Sequence, residues 1–232
     1  MQDNAYLPIP YPFVLGADVA GTVVQLGANV TRFTIGQRVI GHCDSLITKK
    51  ATNAAFQLYS TCRQILVSAV PDSVPLANAA VLPLGVDTAA AMLFQQLDLP
   101  LPSLNPKPTG KTILLWGGSS SVGGSAIQLA VAAGLRVITT ASKHNFDYVK
   151  GLGADEVYDY RDSNVVEKLK AVLKKGDLVG DCIGSPEAQT ACAEILSHLG
   201  GGILPIVYFP NPEWPENVTA DISECFFLTK QT

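Results

Sequence analysis

From Thr112 to Val207 short apolar segments alternate with longer segments of helical pattern, and no other feature narrows the fold as far. Thr112–Trp116 is an apolar run. A loop of glycines and serines follows it, and then Val122–Ala133, whose alanines, Ile127, Leu129 and Val131 suit a buried helix. Further strands are expected at 136–140, 156–158, 178–183 and 202–207, with helices at 146–152, 164–173 and 186–196 between them. Five strands separated one by one by helices imply a parallel sheet covered on both faces, built with right-handed crossovers.

Upstream the texture differs. The segment Pro100-Leu101-Pro102-Ser103-Leu104-Asn105-Pro106-Lys107-Pro108 suits neither a helix interior nor a central strand, so residues 100–110 read as a connector. It separates a first domain, 1–99, from a sheet domain, 111–232. In the first, residues 19–24 and 37–40 look like β-branched strands separated by glycines. Residues 76–97 read as one or two alanine-rich helical pieces interrupted at Pro83-Leu84-Gly85. With 47% hydrophobic and 16% charged residues, 232 residues suffice for one large or two modest folded domains.

The loop Trp116-Gly117-Gly118-Ser119-Ser120-Ser121-Val122-Gly123-Gly124 lies where a doubly wound sheet presents backbone N–H groups and a helix N-terminus to a pyrophosphate. Small residues let a phosphate approach the backbone, and Gly123 lets the helix pack close to the strand. Gly118, Ser119, Ser120, Ser121, Val122 and Gly123 are therefore expected to bind a dinucleotide, in a Rossmann-type fold; a merely tight turn is the competing reading. A P-loop is excluded because Gly124 stands where its lysine is needed, and a nucleophile elbow because Gly117-Gly118-Ser119-Ser120-Ser121 ends in serine.

The end of the second strand discriminates between the two nicotinamide cofactors. An acid there accepts from a ribose 2′-hydroxyl and repels a 2′-phosphate. The sequence reads Thr139-Thr140-Ala141-Ser142-Lys143-His144-Asn145, with no acid before Asp147, which is expected on the following helix. Ser142, Lys143 and Asn145 can each donate to a phosphate, so the expected cofactor is NADP(H). The competing reading, that Lys143 is simply a solvated surface residue, carries less weight.

Other chemistries find little support. A net charge of -4 offers no drive toward nucleic acid. Five cysteines without CxxC spacing fit reduced thiols in a cytoplasmic protein, and the amino terminus lacks a signal-peptide pattern. The apolar stretch 74–94 is interrupted by Asn78, Pro83 and Asp87, so no membrane span is expected. His42, His144 and His198 show no metal-ligand spacing, and His42 beside Cys43 reads as structural, so no metal is expected.

Several of these segments together resemble the medium-chain dehydrogenase/reductase superfamily, most closely the fungal trans-acting enoyl reductases of polyketide biosynthesis. In the first domain the resemblance rests on Tyr11-Pro12-Phe13-Val14-Leu15-Gly16-Ala17-Asp18-Val19-Ala20-Gly21-Thr22-Val23, on Gly27 and on Gly36-Gln37-Arg38-Val39, which follow that superfamily's GroES-like domain. In the second it rests on Gly117–Gly123, on Ala126-Ile127-Gln128-Leu129-Ala130 and on Leu152-Gly153-Ala154-Asp155-Glu156-Val157-Tyr158-Asp159-Tyr160. It implies a partial β-rich GroES-like domain followed by a Rossmann-type doubly wound parallel sheet. Zinc-dependent relatives carry Gly-His-Glu where this chain has Gly16-Ala17-Asp18, and Ala17 cannot ligate. The resemblance therefore points to the zinc-independent branch.

The resemblance further implies hydride transfer from NADPH to an activated carbon–carbon double bond, in a small-molecule or acyl-thioester substrate that can be carrier-bound on a polyketide synthase. Thr88 matches a threonine near the nicotinamide and is the candidate catalytic donor; a helix N-cap before Ala89 is the competing reading. Tyr160 matches a tyrosine on the adenosine phosphate side, and could equally be core filler. Relatives begin with further strands and continue past the fifth strand of the sheet with a sixth, whereas Glu224–Thr232 does not follow their pattern. This leads to the expectation of a sheet stopping at five strands, of exposed edges that promote self-association, and, as an alternative function, of a catalytically poor NADP-binding paralogue.

Overall fold

Strand β1 (Asp18–Thr22) pairs antiparallel with β2 (Arg38–His42), and β2 with β3 (Val67–Ala69), in a small three-stranded sheet. Arg38 anchors the far side of this sheet by donating to the carbonyls of Pro71 and Val74 at 2.8 and 2.6 Å. Asp18, at the start of β1, accepts the Leu84 N–H at 2.6 Å. The short helices α1 (Ser45–Thr48) and α2 (Leu76–Ala79) complete a compact unit that ends at Leu84; a second begins at Gly85. The computed structural model describes residue 9, residues 11–207, residue 210 and residues 213–223. The expectations placed on the first eight residues, on Cys225 and on the closing segment 224–232 lie outside the described residues.

The chain continues through α3 (Pro83–Ala90) into a π-helical turn, Ala91–Gln96. By length and composition Leu76–Gln96 is apolar enough to cross a membrane, but its Ala89, Met92 and Leu93 are buried in the core of the second unit. That core surrounds a parallel sheet of β4 (Thr112–Trp116), β5 (Arg136–Ala141), β6 (Glu156–Asp159), β7 (Leu178–Asp181), β8 (Gly202–Ile206) and β9 (Val218–Ile222). The helices between them are α4 (Ser121–Ala132), α5 (Phe146–Gly151), α6 (Val165–Val172) and α7 (Pro186–His198). The strand order β6-β5-β4-β7-β8-β9 is that of a Rossmann-type sheet.

The side chains of β4 show why this run is a strand. Ile113 and Leu115 enter one apolar cluster with Ala126, Ile127 and Ala130 of α4, while Leu114 and Trp116 enter the other with Ile195 and Leu196 of α7. Alternation along one strand thus feeds two cores, and both faces of the sheet are dry at β4.

The expectation of five strands is corrected. A sixth, β9, pairs parallel with β8 in register from Gly202 with Val218 to Ile206 with Ile222. Its pattern, Val218-Thr219-Ala220-Asp221-Ile222, alternates as a strand with one wet face, and no helical pattern precedes it to announce a crossover. The strand expected to reach Ile183 instead ends at Asp181, whose carboxylate accepts the N–H groups of Ile183 and Gly184 at 2.9 and 3.0 Å and turns the chain.

Candidate functional site

The sheet reverses its strand order between β4 and β7, and a crevice for a ligand opens at the carboxyl ends of such a pair. Gly117 leaves β4 with φ +89, and a Cβ there would stand 2.3 Å from Ile183, so only glycine makes this turn. The loop is tied to β5: Gly117 N–H donates to Thr140 Oγ1 at 3.0 Å and Gly118 N–H to the Thr140 carbonyl at 2.9 Å. Gly123 then lets α4 lie directly against the loop. A Cβ at that position would meet the Gly117 oxygen at 2.2 Å and Gly118 Cα at 2.8 Å.

Ser120 is the N-cap of α4, its Oγ accepting the Gly123 N–H at 3.0 Å. The same hydroxyl lies 2.9 Å from the Gly117 carbonyl and 3.2 Å from that of Cys182, just past β7. Gly124 N–H is taken by the Ser120 carbonyl at 2.8 Å. The N–H groups of Ser119, Ser121 and Val122 have no acceptor among the described residues. A 12-residue helix whose first turn keeps free donors, with its positive dipole end beside them, fits the pyrophosphate of a dinucleotide.

At the end of β5, Ser142 is buried and starts a short 3-10 turn, Lys143–Asn145. Its Oγ accepts from Asn145 Nδ2 at 3.3 Å and lies 3.3 Å from His144 Nε2. Lys143 and His144 are exposed, and Asp147 falls in the first turn of α5. The edge of the crevice beyond β5 therefore offers an ammonium and an amide, with no carboxylate before the helix. Tyr160 follows β6, 44% exposed, so it is not core filler; Arg161 lies over its ring at 5.3 Å.

Thr88 is the sixth residue of α3, which starts at Pro83, so the N-cap reading is corrected. It is 7% exposed, and its hydroxyl has no hydrogen-bond partner among the described residues. Gly85, three residues earlier and on the same helix face, abuts the start of α4: a Cβ there would meet Ser121 Oγ at 2.6 Å. The face of α3 that carries Thr88 therefore adjoins the first turn of α4.

Asp181 was not singled out in the sequence, although an acid closing a strand just before a Gly184-Ser185-Pro186 cap was the available signal. It is fully buried at the crossover of the two half-sheets. Desolvation raises its carboxyl to about 6 from 3.8, against the lowering effect of the Ile183 and Gly184 N–H groups. Between these values the folded protein keeps a proton that the unfolded chain releases. The stability it contributes is thus complete below pH 4 and is lost as the pH rises to 6, by up to about 3 kcal/mol at 1.36 per unit. Denaturant unfolding of the parent and Asp181→Asn from pH 4 to 7 checks this. The parent is expected to lose stability relative to the variant across that range, and a constant difference would show that the carboxyl titrates normally.

Among the described residues no three His, Cys, Asp or Glu side chains converge to hold a metal. Ala17 offers only its carbonyl, which accepts the Cys43 N–H at 2.6 Å, and one oxygen of the Asp18 carboxylate accepts the Leu84 N–H. These residues do not fit a catalytic zinc.

Comparison with known proteins agrees with this architecture. Residues 1–72 match the alcohol dehydrogenase GroES-like domain and residues 121–207 the zinc-binding dehydrogenase family. The trans-enoyl reductase himH of Aspergillus japonicus is 60% identical over 220 residues, which are 95% of this chain and 64% of that protein. The dehydrogenase azaJ of Aspergillus niger is 40% identical over 241 residues, 100% of this chain and 68% of that one. A mycobacterial protein solved in complex with NADPH superposes with a TM-score of 0.72 at 26% identity, over 94% of this chain and 67% of that one. The chain belongs to the medium-chain dehydrogenase/reductase superfamily.

Proposed function

We propose that this chain is part of an NADPH-dependent, zinc-independent oxidoreductase that adds hydride to an activated carbon–carbon double bond, in an enoyl thioester or in an enone or quinone. In this reading the unit that ends at Leu84 carries the partial substrate domain and the one that begins at Gly85 the nucleotide domain, so the helical stretch expected within 1–99 packs with the latter. The observation that carries it is the pairing of free N–H groups at the start of α4 with an acid-free, lysine-bearing turn after β5. The cofactor, when bound, would supply the hydride.

The chain's own residues do the rest. Gly118 and Gly123 let the loop lie close to β5 and α4, and the N–H groups of Ser119, Ser121 and Val122 would hold the pyrophosphate. Lys143 and Asn145 would pair with the 2′-phosphate on a turn fixed by Ser142. Tyr160 would flank the adenosine side. As hydride adds to the double bond, negative charge gathers on the carbonyl oxygen of the substrate, and the unengaged hydroxyl of Thr88 is the candidate donor to it. A substrate thioester can reach such a site free or carried on a polyketide synthase, in the cytoplasm.

Fluorescence titration tests the cofactor assignment. NADPH is expected to bind at least tenfold more tightly than NADH. Lys143→Ala should weaken NADPH about tenfold or more, the value of one charge-assisted contact, and NADH less than twofold. Equal affinity or a preference for NADH would overturn it. Turnover of a short enoyl thioester should survive a chelator, whereas its loss would point to a metal.

A further inference from the structure

Cys43 and Cys62 are 19 residues apart and show no short-spacing motif, yet the fold of the first unit brings their sulphurs to 3.3 Å. Both are free thiols. Cys43 directly follows β2, is 3% exposed and is held by its N–H to the Ala17 carbonyl at 2.6 Å. Cys62 lies over the neighbouring Gly41 of β2, where a Cβ would stand 3.1 Å from its sulphur, so the missing side chain makes room for it. Cys62 is partly exposed. Cys43 is thus sheltered and Cys62 only partly so.

The surroundings separate the two chemically. The two sulphurs share one hydrogen bond, in which either can donate; this coupling holds the Cys62 thiol below its ordinary range and drives that of Cys43 above it. Burial and the buried carboxylate of Asp44 act against this lowering, and His42 acts with it. Asp44 is itself countered by Arg63 at 2.6 Å. By contrast Cys182 and Cys192 are buried in the parallel-sheet unit, where desolvation pushes their thiols up.

We propose that Cys43 and Cys62 form a redox-active dithiol that a hydroperoxide oxidises reversibly to an intramolecular disulfide. The Cys62 thiolate attacks the terminal peroxide oxygen; the sulphur–oxygen bond forms, the oxygen–oxygen bond breaks, and the alcohol or water leaves with a proton. Cys43 then gives up its proton and attacks the Cys62 sulphur. The sulphur–sulphur bond forms, the sulphur–oxygen bond breaks, and water leaves. Two thiols and one hydroperoxide become one disulfide, one alcohol (or water) and one water. The sulphurs need to approach from 3.3 Å to about 2.05 Å, a distance that side-chain rotation spans. The bond would close the loop 44–61, which carries α1 and exposes Phe56, Leu58 and Tyr59.

The test uses the unmutated chain, treated with hydrogen peroxide in slight excess, alkylated and cut with trypsin. Cleavage after Arg38, Lys49, Lys50 and Arg63 places Cys43 in peptide 39–49 and Cys62 in peptide 51–63. The expected result is a dithiothreitol-sensitive linkage of these two peptides, with Cys182 and Cys192 still alkylated after unfolding. In the untreated folded chain Cys62 should alkylate at least tenfold faster than Cys182. In Cys43→Ser, dimedone should trap a sulfenic acid on Cys62 that the parent does not accumulate. Oxidation of Cys62 to a stable sulfinic acid in the parent, linkage through other cysteines, or no linkage would overturn the proposal.

Discussion

Gly123→Ala is expected to weaken cofactor binding at least tenfold and to destabilise the protein. The added Cβ would stand 2.2 Å from the Gly117 oxygen and 2.8 Å from Gly118 Cα, backbone atoms that cannot swing aside. Helix α4 and the loop must then separate, at an overpacking cost of about 1–3 kcal/mol or more. For a chain of this size about 2 kcal/mol lowers Tm by roughly 4–8 °C. Separation also misdirects the Ser121 and Val122 N–H groups, so NADPH affinity should fall at least tenfold. The adjacent Gly124→Ala is the control. Its Cβ meets Leu152 Cδ1 at 3.3 Å and the Tyr148 hydroxyl at 3.4 Å, both side-chain atoms able to give, and stability should stay near that of the parent. Thermal unfolding and NADPH titration of both variants check this. Equal behaviour would mean that the close approach of helix and loop is unimportant.

Thr88→Val is expected to lower kcat/KM for an enoyl thioester about a hundredfold while leaving the NADPH dissociation constant within twofold, as loss of one donor to a developing oxyanion does. Valine keeps the shape and removes the hydroxyl. Thr88→Ser restores it and should recover most of the rate. Parent-like turnover by the valine variant would remove Thr88 from the chemistry and leave it a packing residue of α3.

The two predictions rest on features of unequal visibility in the sequence. Strand β4, the loop and α4 were legible because three signals coincide there: an unbroken apolar run, small residues at the turn, and an alanine-rich helical pattern after it. The acid-free end of β5 was legible for the same local reason. Strand β9 was not, because residues 207–217 carry no helical pattern and a parallel partner is ordinarily sought after a helical crossover. Asp181 escaped notice because burial, not residue type, makes it unusual. The position of Thr88 inside α3 was obscured by Pro83-Leu84-Gly85, which read as an interruption although proline is well suited to a helix's first turn. Cys43 and Cys62 meet where the chain returns over Gly41 to pair β3 with β2, a contact that no spacing rule encodes.

Ser120 joins the two halves of the sheet before any ligand arrives. Its single hydroxyl caps α4 and touches carbonyls from the ends of both β4 and β7. A binding loop already braced in this way has little conformational entropy left to surrender, so the usual ordering penalty of association is largely prepaid by folding. Cofactor capture at such a site is expected to be governed by diffusional encounter, with affinity among variants of the loop expressed mainly in how fast the ligand escapes.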